Sequence, residues 1–156
     1  MTDDKKIQEK ISFSAIRKNV DCQNCGRSPL VALPPNYPTV DIVCQFCSQT
    51  AQVKSLRLRR IDSGLPNIIT AAAWGPQKKR MNAGIFQPLY IVTFYGGKAI
   101  SILYISPGVQ KKYQKILFKK RKPLPDYNKR AGWQGFNYMI GNLPKKSLKL
   151  LWRRKH

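Results

Sequence analysis

The chain has 156 residues, enough for one domain with a buried core, and its 42% hydrophobic and 10% aromatic content can supply that core. Lys and Arg number 29 against 7 acids, a formal net charge of +22, so a polyanion, nucleic acid foremost, is the expected partner. The single histidine, His156, excludes Ser–His or Cys–His catalysis, and the absence of a long apolar run or an export pattern at MTDDKKIQEK excludes a membrane partner and makes the cytoplasm the expected location.

In chain order, Asp3 to Lys18 carries Ile7, Ile11 and Ala15 at helical spacing and predicts a short amphipathic helix. Cys22-x-x-Cys25 and Cys44-x-x-Cys47 follow, using all the cysteines of the chain. Their spacing is that of a four-cysteine zinc ribbon at 22–47, in which each pair aims two thiolates at one ion. Two disulfides or redox-active pairs are the other readings, and the missing export signal argues against the first. With four protein ligands such a zinc is closed, hence structural.

SPLVALPPNYP reads as a loop, because prolines lack the amide donor that a central strand needs. Thr39 to Val43 and Thr50 to Leu58 read as strands joined by the second cysteine pair. On the second strand, Ala51, Val53 and Ser55 share one face, and Gln52, Lys54 and Leu56 the other. Arg57 to Gly64 reads as a basic turn. Pro66 to Ala73 is expected to start a helix that Gly75-Pro76 interrupts before Gln77 to Asn82. PLYIVTFYGGKAISILYISP has two β-rich runs around Gly96-Gly97 and predicts a buried hairpin. Val109 to Lys122 has a partial helical stripe, closed by Pro123 and Pro125. RAGWQGFNYMIGNLP is a Gly- and aromatic-rich segment.

Metal-assisted phosphodiester hydrolysis needs a carboxylate for the ion, a second oxygen ligand and a cation near the phosphate. Asp41 on one strand facing Gln52-x-Lys54 on the next meets that need, although in so Lys-rich a chain a solvated strand face is the default account.

Cys-x-x-Cys-Gly, a Pro-rich loop, VDIVCQFCSQTAQVKS and, much later, KRAGWQGFNYMIGNLP together resemble the catalytic domain of DpnI-type, methyl-directed restriction endonucleases of the PD-(D/E)xK superfamily. The likeness spans about Val20 to Pro144. It implies an α/β (α+β) fold: a restriction-endonuclease-like mixed sheet flanked by helices, with an inserted zinc ribbon, forming a single nuclease domain over 1–156. It also implies structural Zn²⁺ on Cys22, Cys25, Cys44 and Cys47, and catalytic Mg²⁺ on Asp41, Gln52 and the Val53 carbonyl. Lys54 becomes the catalytic lysine, and double-stranded DNA, cut at adenine-methylated GATC-like sites, becomes the substrate.

Two departures stand out besides a minor one, Val40 in place of the superfamily's Pro. Gln52 occupies the usual acidic position, which removes a full charge from the ion's surroundings. The type enzyme also has a second, winged-helix domain, for which a chain ending LKLLWRRKH is expected to have no room. Arg57, Arg59, Arg60, Lys78, Lys79, Arg80, Lys129 and Arg130 are the expected phosphate contacts, with Trp133 placed to stack on a base or pack inside. The rival reading is a non-catalytic zinc-ribbon nucleic-acid binder of a ribosomal, transcription or repair assembly.

Overall fold

The computed structural model describes residues 3–155. Its backbone divides into two compact units, one built from the chain up to Ser63 with Gln87–Ser106 and the segment from Leu148, the other from Gly64–Phe86 and Pro107–Ser147.

In the first unit, helix α1 (Asp3–Asn19) carries acids in its first turn and bases in its last, matched to its dipole. A six-stranded sheet runs β1 (Leu30–Ala32), β2 (Ile42–Cys44), β3 (Thr50–Arg57), β5 (Leu89–Tyr95), β6 (Lys98–Ile105), β9 (Lys149–Arg153). Only β3 and β5 pair in parallel, so the sheet is mixed. α1 seals one face: Ala15 and Ile16 pack with Ile42, Ala51, Tyr90, Val92, Phe94 and Ile102. Ile16, Val92 and Ile102 are fully buried, each contributing about 1.5–3 kcal/mol of apolar transfer. On that face the hydroxyls of Ser12 and Ser55 meet at 2.6 Å, pinning helix to strand.

The hairpin forms at Gly96 and Gly97, both at positive φ, as a tight turn between right-twisted strands requires. It is not regular. Thr93 pairs with Ser101 but Phe94 with Ala99, so Ile100 is an extra residue in β6.

The second unit has a three-stranded antiparallel sheet, β4 (Ile69–Ala71), β8 (Phe136–Tyr138), β7 (Phe118–Lys120). Its core is aromatic: Phe118, Phe136 and Tyr138 lie 5.2–6.1 Å apart between ring centroids, with Trp74 at 5.7 Å from Phe136. Helices α2 (Trp74–Asn82), α3 (Pro107–Lys112) and α4 (Gln114–Leu117) belong to it.

Four expectations change. The loop at SPLVALP contains the edge strand β1, where Pro29 precedes the strand and disturbs no ladder bond. Pro66 to Ala73 does not start a helix. It contains β4, whose Ile69 and Ala71 alternate inward around exposed Thr70. α2 runs through Gly75-Pro76 because Pro76 falls in the first turn, where an amide has no helical acceptor. The stripe from Val109 ends at Leu117, and Phe118 turns extended to join the aromatic core. The C-terminal strand β9 was not foreseen, since it does not alternate: Leu151 is an extra residue between Trp152 opposite Ile102 and Leu150 opposite Leu103.

Candidate active site

β2 and β3 pair antiparallel in a ladder that ends with Ile42 opposite Ala51, and Asp41 sits in a bend just ahead of β2. The Asp41 amide donates to Ala51 O at 2.9 Å, which ties the bend to β3. Opposite residues share a face, and so do residues two apart on a strand. Gln52 and Lys54 therefore lie on one face of β3, the one opposite Ser55.

Neighbouring amides of β3 point to opposite edges. The Gln52 amide donates to Pro88 O at 2.8 Å on the β5 side. The Val53 amide points to the β2 side, and Asp41 Oδ2 accepts it at 2.8 Å. The Val53 carbonyl shares that edge, so it lies beside the carboxylate.

Asp41 and Lys54 are both half-buried. Burial raises the Asp41 carboxyl above its ordinary 3.8, while the Val53 amide and the Lys54 charge pull it back. Burial also lowers Lys54 below its ordinary 10.5, with Asp41 opposing and Lys5 of α1 adding like-charge repulsion. Each charge thus shifts the other, yet no ion pair joins them. A group between them would meet an anionic oxygen on one side and an ammonium on the other.

The Gln52 side chain is anchored. Its Nε2 donates to Thr39 O at 2.8 Å. Thr39 has φ 77°, a left-handed conformation that a β-branched residue rarely adopts. This partner was not anticipated, and a Thr preceding Val-Asp carries no sequence signal for it.

The four cysteine Sγ atoms lie within 4.8 Å of one another. Cys22–Cys47 and Cys25–Cys44 are each 3.6 Å apart, far beyond the disulfide length of about 2.0 Å. That is close to the ligand–ligand edge of about 3.8 Å given by a tetrahedron with zinc–sulfur bonds of about 2.3 Å. Each pair closes a knuckle, with the Gly26 amide donating to Cys22 O and the Ser48 amide to Cys44 O. Gly26 and Ser48 take the positive φ this turn needs. Burial pushes the Cys22 thiol up to about 12, whereas Asn24 Nδ2, donating to Cys47 Sγ at 3.5 Å, helps hold the Cys47 thiol down to about 6. The donor set fits zinc.

The basic residues separate by unit. In the first, Arg57, Arg59 and Arg60 are exposed just after β3, and Arg60 Nε meets Asp62 Oδ1 at 3.8 Å. In the second, Lys78 and Lys79 are exposed, but Arg80 is half-buried and donates to Gln77 Oε1 at 2.9 Å, so it is partly committed to α2. Lys129 and Arg130 are exposed, with the Arg130 guanidinium 6.0 Å from the Trp133 ring centroid. Trp133 is 43% exposed, so it is not a core residue.

A mixed sheet packed against a helix, a four-thiol cluster that fits zinc and a carboxylate beside the Val53–Lys54 backbone define an α+β protein with a polar site where the bend before β2 meets β3. DpnI, the Dam-replacing family, matches residues 2–151, and the chain belongs to that family. Membership implies a restriction-type nuclease with DNA as its substrate class. No helix among the described residues is long and apolar enough to cross a membrane.

Proposed function

We propose that this chain is a Mg²⁺-dependent endonuclease that cuts double-stranded DNA at adenine-methylated, GATC-like sites from one PD-(D/E)xK-like nuclease domain. The reading rests on one observation: Asp41 Oδ2 accepts the Val53 amide next to Lys54, and the two charges are close enough to shift each other without pairing.

Asp41, the Gln52 amide oxygen and the Val53 carbonyl would hold the ion. When bound, it supplies positive charge to the phosphate and makes the attacking water more acidic. The chain's own groups do the rest. The Val53 amide fixes Asp41 Oδ2 and so turns the carboxylate plane. The Thr39 carbonyl accepts Gln52 Nε2 and so fixes the orientation of that side chain. Lys54, partly stripped of water, offsets the charge growing on the phosphate more strongly than a solvated lysine would. The exposed arginines after β3 hold the duplex by its phosphates without reading sequence. The zinc ties β1 and β2 to the end of α1, so the Asp41 strand cannot drift from β3.

The test is cleavage of adenine-methylated and unmethylated plasmid with Mg²⁺. The methylated plasmid should be cut, and Lys54→Ala should slow cutting by about 10²–10³-fold. Equal cutting by Lys54→Ala, or none of either plasmid by wild type, would overturn the reading. DNA binding without any cleavage would leave the zinc-ribbon binder, which the neutral Gln52 favours.

A further inference from the structure

A cavity of about 300 Å³ in the first unit is lined by Lys10, Ser14, Lys18 and Asn19 of α1 and by Ala99 and Arg154, with no carboxylate among its lining residues. Ile11 and Ala15 supply its apolar part. Lys10, Ser14 and Lys18 follow at successive helical turns and so form one ridge. Lys18 alone has an ordinary explanation, a cation in the last turn of a helix. Arg154 does not.

The bulge in β6 builds the place for Arg154. With Ile100 as the extra residue, the small Ala99 reaches the α1 face and leaves space there. The Ile100 carbonyl accepts the Arg154 amide at 2.7 Å, and the Ala99 carbonyl accepts Arg154 Nε at 2.7 Å. The Trp152 ring centroid lies 5.6 Å from the guanidinium carbon. The guanidinium is thus held at one edge and by an aromatic face. A guanidinium offers further donors beyond Nε, in the planar fork that matches two oxygens of a phosphate. A merely solvated arginine would not be fixed at backbone, side chain and ring at once.

The geometry points to a phosphate-binding site in this cavity, distinct from the cleavage site. α1 packs on the Ser55 face of β3, whereas Gln52 and Lys54 lie on the other. A phosphate held by Arg154, Lys18 and Lys10 therefore belongs to a different ligand, or a different DNA segment, from the one being cut. The ligand class is a phosphoryl group, carried either by a free polyphosphate or by a second length of nucleic-acid backbone. This inference goes beyond the nuclease reading and does not need it.

The zinc-loaded full chain, without Mg²⁺, is titrated with pyrophosphate and followed by calorimetry. One site is expected, weakened at least tenfold in Arg154→Gln and in Lys18→Gln. It should be unchanged in Lys115→Gln, an exposed lysine in the second unit that removes the same charge. Unaltered pyrophosphate affinity in both cavity variants, or an equal loss in Lys115→Gln, would overturn the site. Lys18 is exposed on a helix surface, so its variant still decides if Arg154→Gln fails to fold. A second arm measures how many short unmethylated duplexes one chain binds. Two falling to one in the variants assigns the site to nucleic-acid backbone, and an unchanged count with pyrophosphate binding lost assigns it to free polyphosphate. Failure of cleavage affects neither arm.

Discussion

Gln52 is the residue at which composition and structure pull in different directions. Charge alone says that a glutamate there would bind a divalent ion better. The geometry says that a glutamate could not donate to Thr39 O and would set an anion against that carbonyl. Losing that exposed hydrogen bond costs about 0.5–1.5 kcal/mol. Gln52→Glu is therefore expected to lower the cleavage rate about tenfold, measured at saturating Mg²⁺, and a faster enzyme would show that ligand charge outweighs anchoring. Asp41 carries a pH prediction. The folded protein holds the Asp41 proton more tightly than the unfolded chain, because burial raises the carboxyl above 3.8. The stability this contributes is present below 3.8 and is lost as pH rises through the raised value. Metal binding needs the ionised form, so the affinity for Mg²⁺ or Mn²⁺ should start to fall at a higher pH than for an ordinary carboxylate. Calorimetry across pH 4–8 checks it, and Asp41→Asn should abolish the dependence.

At the scale of elements, the site depends on a short strand. β2 has three residues, and its ladder to β3 continues at Asp41 by a single backbone bond. What keeps so short a strand in register is the cysteine cluster at its end. Removing zinc with a strong chelator is expected to lose β1 and β2, lower the melting temperature, and abolish cleavage even with Mg²⁺ restored. Circular dichroism with and without chelator tests this, and an unchanged melting temperature would mean that the cluster is not a staple. The bulge in β6 and the left-handed Thr39 are departures from regular strands beside Arg154 and Gln52, the residues for which roles are proposed.

For the whole molecule the governing quantity is charge. With 29 basic residues and 7 acids, and an Arg or Lys cluster exposed in each unit, DNA affinity should be dominated by counterion release. If roughly 6–10 phosphates are contacted, affinity should fall by roughly 10³–10⁵ between 50 and 200 mM salt. Filter binding with unmethylated duplex measures the slope, and a nearly flat one would mean that the charge serves something other than DNA. Neutralising Arg57 and Arg59 together should flatten the slope by about 2, whereas Lys54→Ala should move it by no more than about 1.

The chain's residues by themselves determined the helix at the start, the strand carrying Gln52-x-Lys54, the buried hairpin and the thiol cluster, because each is written in local spacing: a helical period, a two-residue period, a glycine turn, a Cys-x-x-Cys knuckle. They also carried the likeness to the DpnI family, which the match over residues 2–151 bears out. Only the tertiary structure decided that Pro66 to Ala73 holds a strand, that Phe118 leaves a helix, and that LKLLWRR closes a sheet edge, since these follow from which partner each segment finds. It alone tied Gln52 to Thr39 and Arg154 to Ala99. Those bonds join residues remote in the chain or turned by irregular backbone, and no periodic pattern encodes a contact of that kind.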